Sequence, residues 1–462
     1  MAVSMSTLAS LGVQLQRASR TTGTGNTWLT TCAVFAFTVS TWMAMTVAGG
    51  TWMFYQRAKH PWTDSLKDID EGYRQIYVGL AVVACVFVVP AMMSLVAQSA
   101  VLGASGRDRR LATLRLLGLS NGDITRVTLV ETGAQAITGL VIGTVLYVAL
   151  VPAWSLVSFE NTPIGTWEVL LPWWAYPALW ALIIALAALA AVIGLKRVMV
   201  SPLGVSKRQM PKALKFWRVL LFIAIILTGR ALATSINVNP QNLGGAMVIM
   251  AMILFAMILA INIVAPFLIQ CAAWASRAFP GNHHFLATRR VMTDGRTAWK
   301  RVSALTFLAL LLGYVGTIPR DPVGDIGNQT ISTDTFTGAV ITYCVGLIIS
   351  ASGTLLNQAS AVFDERELTR ALDFIGVPSS LHNKVAMTQT LYPLLMTSGL
   401  SFLFGLYMGK LSYGRVTSDH SGTHIGWTVI AFLLSLALSV GATFLVDPLR
   451  HKQLGTRVRR ND

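Results

Sequence analysis

Stretches of about twenty apolar residues recur along the whole chain, and they constrain its fold more than any other feature. A helix needs roughly 20 predominantly apolar residues to cross about 30 Å of hydrocarbon. No water satisfies backbone polar groups inside a bilayer, so such stretches cross it as α-helices. The sequence predicts ten spans, at 28–50, 76–103, 127–152, 173–195, 217–237, 244–275, 302–318, 335–360, 385–409 and 425–447.

The composition leads to the same fold class. Of the 462 residues, 54% are hydrophobic and 12% are charged, and the mean hydropathy is +0.59. This is too much apolar surface for the core of a soluble protein. We therefore predict an all-α integral membrane protein with about ten transmembrane helices. Because the predicted outer loops are short, we expect no large extracellular domain.

The net charge of +16 first suggests nucleic acid, but the position of the charges argues against that partner. If the N-terminus is cytoplasmic, most of the 36 Lys and Arg residues fall in cytoplasmic segments. Membrane proteins show this asymmetry because basic loops remain inside during insertion. The sequence thus predicts a multi-pass protein with both termini in the cytoplasm, surrounded by membrane lipids and without a nucleic-acid partner.

Two regions of the chain align without a gap and indicate an internal duplication. Gly118 aligns with Gly376, Leu114 with Leu372, and Glu131 with Gln389. The predicted organisation is 4+2+4 spans. Each repeat and the linker contain an even number of spans, so both repeats begin on the same side of the membrane and are parallel. Its parts are an N-terminal interfacial helix at 1–27, a first four-span repeat at 28–198, a basic loop and two linking spans at 199–275, a second repeat at 276–450 and a basic tail at 451–462.

A short amphipathic segment follows the second span of each repeat. In the first copy leucines recur at helical spacing among arginines, a glycine ends the segment, and Ser120 with Asp123 can cap the next helix. A surface helix that only joins two spans would look similar, but its duplication favours docking to a two-fold symmetric partner. The residues in question are Arg109, Arg110, Leu111, Leu114, Arg115, Leu117 and Gly118, then Leu368, Leu372, Ile375 and Gly376.

The stretch RRLATLRLLGLSNGDITRVTLVE at 109–131, with SPLGVSKR after the fourth span, resembles the FtsX-like permeases of bacterial ABC transporters. The resemblance implies that 107–119 and 365–377 are coupling helices, each contacting an ABC ATPase subunit, with two ATPases per permease chain in a bacterial plasma membrane. Family members commonly carry a large outer domain, which this chain lacks. The second segment is also acidic where the first is basic, so the two docking sites are not expected to be equivalent.

The sequence offers little sign of nucleotide binding or hydrolysis. It has no GxxxxGK[ST], HExxH or CxxC stretch, and the Gly-x-Ser-x-Gly spacing occurs at Gly118, Ser120 and Gly122, where Ser120 is instead the predicted cap of the next helix. We therefore expect no enzyme activity and no cofactor on this chain, with ATP and Mg bound by the partner ATPase. His420 and His424 could hold a metal if their segment were helical, but Gly422 between them favours a solvated loop, and no metal site is predicted.

Three residues are candidates for a role inside the membrane. Glu131 and Arg230 are ionisable groups in predicted spans, where such groups mark transport paths by default. Gln389 takes the place of Glu131 in the second repeat. Both ionisable groups could also lie near a span end, where Glu131 would only snorkel or cap a helix.

Three functions fit these observations. The first is the permease subunit of an ATP-driven ABC transporter that extrudes or extracts an amphipathic or hydrophobic substrate, such as an antimicrobial peptide, a lipid or a drug. The second is a signalling subunit that transmits the ATPase cycle to an outer-face accessory protein without moving solute. The third is an ion-coupled secondary transporter, which the scarcity of membrane carboxylates disfavours.

Overall fold

The computed structural model describes most of the chain between residues 26 and 444. Several predicted parts lie outside the described part of the chain: the coupling segments except residue 375, the basic loop before 216, nearly all of the interfacial helix at 1–27 and the tail at 451–462. The described residues are 26–61, 71–105, 120–199, 216–235, 243–276, 281–293, 295–318, 326–364, 375, 379–413 and 424–444.

Helices make up nearly all of the described part. In chain order they are α1 (Asn26–Lys59), α2 (Glu71–Ser105), α3 (Asn121–Leu150), α4 (Ala175–Met199), α5 (Trp217–Ser235), α6 (Leu243–Ala275), α7 (Asn282–Thr293), α8 (Gly295–Val315), α9 (Ile326–Asp364), α10 (Ser379–Tyr413) and α11 (Ile425–Phe444).

Each of the ten predicted spans falls on one of these helices, which agrees with an all-α membrane protein. Within the described residues, eight helices are long and apolar enough to cross a bilayer. The apolar parts of α5 and α11 are shorter, at Trp217–Gly229 and Ile425–Gly441. The remaining helix, α7, was not predicted; it is short, and its basic residues keep it below the hydropathy of a span.

The start of α3 has the predicted cap. Ser120 precedes the helix in an extended conformation, and its hydroxyl accepts a hydrogen bond from the backbone N–H of Asp123 at 3.2 Å. The same hydroxyl donates to the Asp123 carboxylate at 2.6 Å. A serine cap followed by an acid three residues later satisfies backbone donors that the first turn leaves unpaired, so the helix begins at this serine.

Close helix contacts occur in both halves of the chain. In the first half α1 packs against α2 and α3, and α4 covers α2 and α3. Gly139 and Gly143 of α3 lie directly on the α1 backbone around Thr38, where a Cβ atom would collide. In the second half α8 packs mainly on α10, and Gly313 meets Gly405 in the same manner. Small residues at these crossings let the helix backbones approach, as is common in membranes.

Several helix contacts connect the halves, among them α9 against α1. The linking helix α6 packs against α2 on one side and against α7 and α8 on the other, while α5 packs against α6. In addition, α2 packs along α9, which occupies the matching place in the second half. We call this α2–α9 contact the central seam.

A structured loop connects α3 to α4. It contains a 3-10 helix (Val151–Leu156) and a two-stranded antiparallel hairpin, β1 (Ser158–Phe159) and β2 (Thr162–Pro163). The two turn residues of the hairpin, Glu160 and Asn161, have φ values of 56° and 57°. Such angles at both positions match the twist of a two-residue hairpin, although they are uncommon for a glutamate. The sequence had indicated only an outer loop here.

Candidate functional site

The predicted coupling residues lie almost entirely outside the described part of the chain. Ile375 is described; it sits in a turn and is 76% exposed. The structure leaves the other members of the two segments as predictions: Arg109, Arg110, Leu111, Leu114, Arg115, Leu117, Gly118, Leu368, Leu372 and Gly376. What the structure does place is the pair of helices from which each segment leaves and into which it runs.

The two segments occupy equivalent places in the chain. The first follows the end of α2 at Ser105 and precedes α3 at Asn121. The second follows the end of α9 at Asp364 and precedes α10 at Ser379. Because α2 and α9 form the central seam, both segments start from the same end of one helix pair. We call this the inner end, following the predicted orientation, and the opposite end the outer end.

The two helices of the central seam run parallel and contact each other near both ends. At the outer end the Tyr77 hydroxyl of α2 donates to the Asp334 carboxylate of α9 at 2.7 Å. Near the inner end a Cβ atom on Gly353 of α9 would lie 3.7 Å from the Gln98 side chain and 3.9 Å from Leu95 on α2. Between these two contacts, apolar residues of α2 and α9 pack together in a cluster to which α1 also contributes. Its members on α2 and α9 are Val88, Leu95, Val345, Ile349 and Leu356.

At the outer end, Arg57 is enclosed by the α3–α4 loop. It is 1% exposed although it carries a full charge. Its guanidinium contacts the Glu168 carboxylate at 2.7 Å and 2.8 Å, and donates to the Phe159 carbonyl at 3.1 Å and the Thr162 hydroxyl at 3.0 Å. A buried charge is tolerated only when its hydrogen bonds are satisfied, so Arg57 holds the hairpin against the end of α1.

Asp334 connects this arrangement to the second half of the chain. Besides the bond from Tyr77, it accepts the backbone N–H of Glu160 at 2.7 Å. The Glu160 side chain lies 3.5 Å from Arg57. Arg57, Tyr77, Glu160, Glu168 and Asp334 thus form one buried polar cluster, which we call the outer clasp. It joins α1, α2, α9 and the hairpin at the outer end of the central seam.

The electrostatics of the outer clasp are not fully balanced at Glu160. Burial raises the pKa of the Glu160 carboxyl, although the nearby Arg57 guanidinium works in the opposite direction. The carboxylate oxygen that lies 3.5 Å from Arg57 makes no hydrogen bond within the described chain. The turn at Glu160 is therefore held by its backbone bond to Asp334 together with the ion pair of its side chain with Arg57. A strained residue held by its surroundings is typical of sites with a mechanical or functional role.

The inner half of the bundle holds the predicted membrane residues Glu131 and Gln389. Glu131 lies on α3 and is 7% exposed, and it makes an interaction there. Gln389 lies on α10 and is 6% exposed, with its amide nitrogen unpartnered among the described residues. Both are buried in the protein, and the two helices that carry them pack on different neighbours. Whether either side chain acts in transport stays a prediction.

Other polar side chains surround these two positions. On α3, Thr132 and Gln135 are buried, and each has a side-chain oxygen without a hydrogen-bond partner in the described part of the chain. On the second-half side, the Gln358 amide of α9 donates to the Thr390 hydroxyl of α10 at 3.0 Å. The inner half is therefore richer in unsatisfied polar groups than a membrane core usually is.

Two further sequence predictions have partial outcomes. Arg230 lies on α5, but its side chain is outside the described part, so its role stays a prediction. His424 is described and stacks on Phe336 with ring centroids 3.8 Å apart, whereas His420 is outside the described part. Within the described residues no cluster of His, Cys, Asp and Glu could hold a metal ion.

Comparison with known families gives a match in the region that contains the first predicted coupling segment. Residues 76–203 match the family model described as FtsX-like permease C-terminal. This part of the chain is similar to the C-terminal domain of FtsX-like permeases. The match runs from α2 through α3, the hairpin and α4 into the basic loop, and it confirms the resemblance seen in the sequence. No curated protein matches the chain.

Sequence reasoning did not predict the outer clasp. Arg57 was assigned to an outer loop because the apolar stretch ends before it, whereas α1 continues to Lys59. Asp334 was likewise placed at the end of a loop, although α9 begins at Ile326. A signal was present, since short outer segments carry an arginine in one place and carboxylates in two others. Which of these charges meet depends on helix packing and could not be deduced from spacing.

Proposed function

We propose that this chain is the permease subunit of an ATP-driven ABC transporter that extrudes or extracts an amphipathic or hydrophobic substrate. The observation that carries the proposal is the FtsX-like permease match at 76–203, because it encloses the segment 107–119 between α2 and α3. Permeases of this family normally work with an ABC ATPase. The chain lacks a phosphate-binding loop of its own, so a separate ATPase must supply the energy.

The arrangement of the helices supports two ATPase subunits per chain. Both predicted coupling segments leave from the inner end of the central seam, one after α2 and one after α9. A single chain then offers two docking places on one side, as the sequence duplication predicts. Native mass spectrometry of the assembly should show one permease with two ATPases, and two permease chains per ATPase pair would contradict this.

Docking can be tested at Leu114, which lies in the middle of the first predicted apolar stripe. Burying a leucine in a partner groove contributes about 1.5–3 kcal/mol, and a carboxylate in its place adds an unpaired charge. Because about 1.4 kcal/mol is a tenfold change, Leu114→Asp should weaken ATPase binding by roughly a hundredfold. Leu372→Asp should do the same in the second segment. The measurement is co-purification of the ATPase from detergent extracts.

The matched control is Leu156→Asp, which introduces the same charge at an exposed residue of the α3–α4 loop. That variant should retain the ATPase. If Leu114→Asp and Leu372→Asp also retain it, the two segments only join spans and the docking proposal is wrong. Normal amounts of each variant in the membrane fraction exclude failed insertion.

Replacing Glu131 tests whether the chain transports solute or only transmits a signal. If its charge contributes to a transport path, Glu131→Gln should lower substrate-stimulated ATP turnover while leaving basal turnover and ATPase binding intact. Gln389→Glu offers the reverse change at the aligned position. If Glu131→Gln leaves stimulated turnover unchanged, Glu131 has only a structural role. An outer protein whose activity follows ATP turnover without solute movement would favour the signalling alternative.

A further inference from the structure

The acidic residues of this chain are distributed very unevenly. Between Glu168 and Asp321 the sequence contains a single acidic residue, Asp294. This region includes α4 to α8, and its basic residues gather near the predicted inner ends of the helices. Side chains of these helices therefore have almost no carboxylates with which to form ion pairs. Within the described parts of α4 to α8, a basic side chain has no carboxylate on these helices with which to pair, so solvent or an external anion can neutralise it.

Two arginines from different helices approach each other at these inner ends. Arg218 lies in the first turn of α5, and Arg296 lies in the first turn of α8. A Cβ atom on Gly229 of α5 would lie 3.1 Å from Ile253 of α6, so α5 runs antiparallel to α6 and its first turn lies beside the part of α6 around Pro266. The start of α8 is held in place by α6, because Gly295 lies directly against the Pro266 carbonyl and the Gln270 side chain. The two like charges are therefore brought together by the fold.

Lys300 adds a third positive charge to the same place. It follows Arg296 by one turn of α8, so both side chains share a helix face, and both are exposed. No carboxylate among the described residues pairs with Arg218, Arg296 or Lys300. Like charges at this spacing repel each other. Such an arrangement becomes favourable when an anion lies between the cations.

Apolar groups lie immediately beside these charges. Phe216 and Trp217, which precede Arg218, are 63% and 52% exposed. On α5, the side chains of Leu220 and Leu227 are also exposed, since this helix packs mainly on α6. An aromatic residue beside basic residues at a span end is typical of the membrane–water interface. The surface thus offers positive charge for a headgroup and apolar side chains for the chains below it.

We propose that Arg218, Arg296 and Lys300 bind the phosphate of an anionic phospholipid from the inner leaflet, with its acyl chains on the exposed face of α5. Basic pockets between transmembrane helices on the cytoplasmic side bind such headgroups in other membrane proteins. We call these three residues the headgroup site. It does not depend on an ATPase and is a separate property from the proposed transport function.

Native mass spectrometry of the full chain in neutral detergent tests the site. Phosphatidylglycerol or phosphatidylcholine is added, and the lipid-bound fraction is measured at each concentration. The expected result is a clear preference for phosphatidylglycerol. Each cation near a membrane surface contributes about a fivefold change in affinity, so Arg218→Gln/Arg296→Gln should weaken phosphatidylglycerol binding about thirtyfold. Binding of phosphatidylcholine should not change.

Two pairs of substitutions serve as controls for this experiment. Arg126→Gln/Lys384→Gln removes two exposed cations from α3 and α10, outside this site, and should leave binding unchanged. Arg218→Lys/Arg296→Lys keeps the charge and should retain the preference. If the double glutamine variant does not fold, Lys300→Gln alone should still weaken phosphatidylglycerol binding about fivefold, since this exposed side chain can be replaced without disturbing packing.

Three outcomes would overturn the proposal. The first is equal binding of phosphatidylglycerol and phosphatidylcholine by the unaltered protein. The second is unchanged phosphatidylglycerol binding in the glutamine variants. The third is displacement of the lipid by glycerol 3-phosphate at equal concentration, which would show that the site takes a free phosphate group and gains nothing from the acyl chains.

Discussion

The outer and inner ends of the central seam differ in how their polar groups are satisfied. At the outer end Asp334 accepts two hydrogen bonds, and Arg57 is paired on all sides despite complete burial. Toward the inner end the Gln98 side-chain oxygen of α2 is buried without a partner in the described residues. Bonds between different elements restrain the outer end, even though atoms of Arg74, Glu160 and Glu168 make no hydrogen bond in the described chain. The Gln98 amide makes no bond across the seam, so the inner end is freer to rearrange.

This difference has a mechanical consequence under the proposed function. The predicted coupling segments join α2 and α9 at the inner end, so ATPase movement would enter the bundle there. We expect the outer clasp to hold the outer ends of α2 and α9 together while the inner ends change their spacing. The variants below test whether the two ends differ as the contacts indicate, beginning with the largest expected effect.

Replacing Arg57 should have the largest effect on stability. Arg57→Met keeps the volume of the side chain but leaves the buried Glu160 carboxylate and the partly buried Glu168 carboxylate without their partner, which costs about 3–5 kcal/mol. The free energy of unfolding by SDS titration in mixed micelles measures this loss. Lys59→Met is the matched control, because Lys59 is exposed on the same helix end, with its ammonium over the Tyr55 ring. Equal losses in the two variants would show that the outer clasp does not stabilise the fold.

Separating Tyr77 from Asp334 should have a smaller effect. Asp334→Asn and Tyr77→Phe each remove part of one hydrogen-bonded contact, and each should cost about 1–3 kcal/mol. Because the two groups contact each other directly, the double variant should lose less than the sum of the single losses, with a coupling energy of about 1 kcal/mol. Additive losses in the same SDS titration would mean that the central seam is not tied at this pair.

The sequence predicted the parts of this structure that depend on neighbouring residues. Span positions follow from local apolar length, and the start of α3 follows from Ser120 and Asp123, three residues apart. The outer clasp could not be predicted, because Arg57, Glu160 and Asp334 meet only through the packing of α1, α2 and α9. The helix α7 was not predicted, because it is short, has basic residues in its last turns and lacks the apolar length of a span.

Within the outer clasp, Glu160 should give a dependence on pH. Burial raises the pKa of this carboxyl in the folded state. Its contribution to stability is therefore present below the unfolded pKa of about 4.3 and is lost as the pH rises through the folded value. Glu160→Gln removes this titration, so its unfolding free energy should decline less than that of the unaltered protein as the pH rises from about 4. Parallel pH profiles for the two proteins would contradict this expectation.

Two glutamines give the smallest and most direct test of the inner end. Gln358 of α9 donates to Thr390 at 3.0 Å, so Gln358→Leu should cost about 0.6–1 kcal/mol, as interhelical hydrogen bonds in membranes typically do. Gln98 of α2 bonds only Ser94 of its own helix and leaves a buried oxygen unpaired in the described part of the chain. Replacing an unsatisfied polar group with an apolar one is nearly neutral or stabilising, so Gln98→Leu should change stability by less than about 0.5 kcal/mol. The same substitution thus separates a satisfied from an unsatisfied amide near one end of the central seam. If Gln98→Leu costs as much as Gln358→Leu, the Gln98 amide has a partner in the membrane, and the inner end is as tightly held as the outer one.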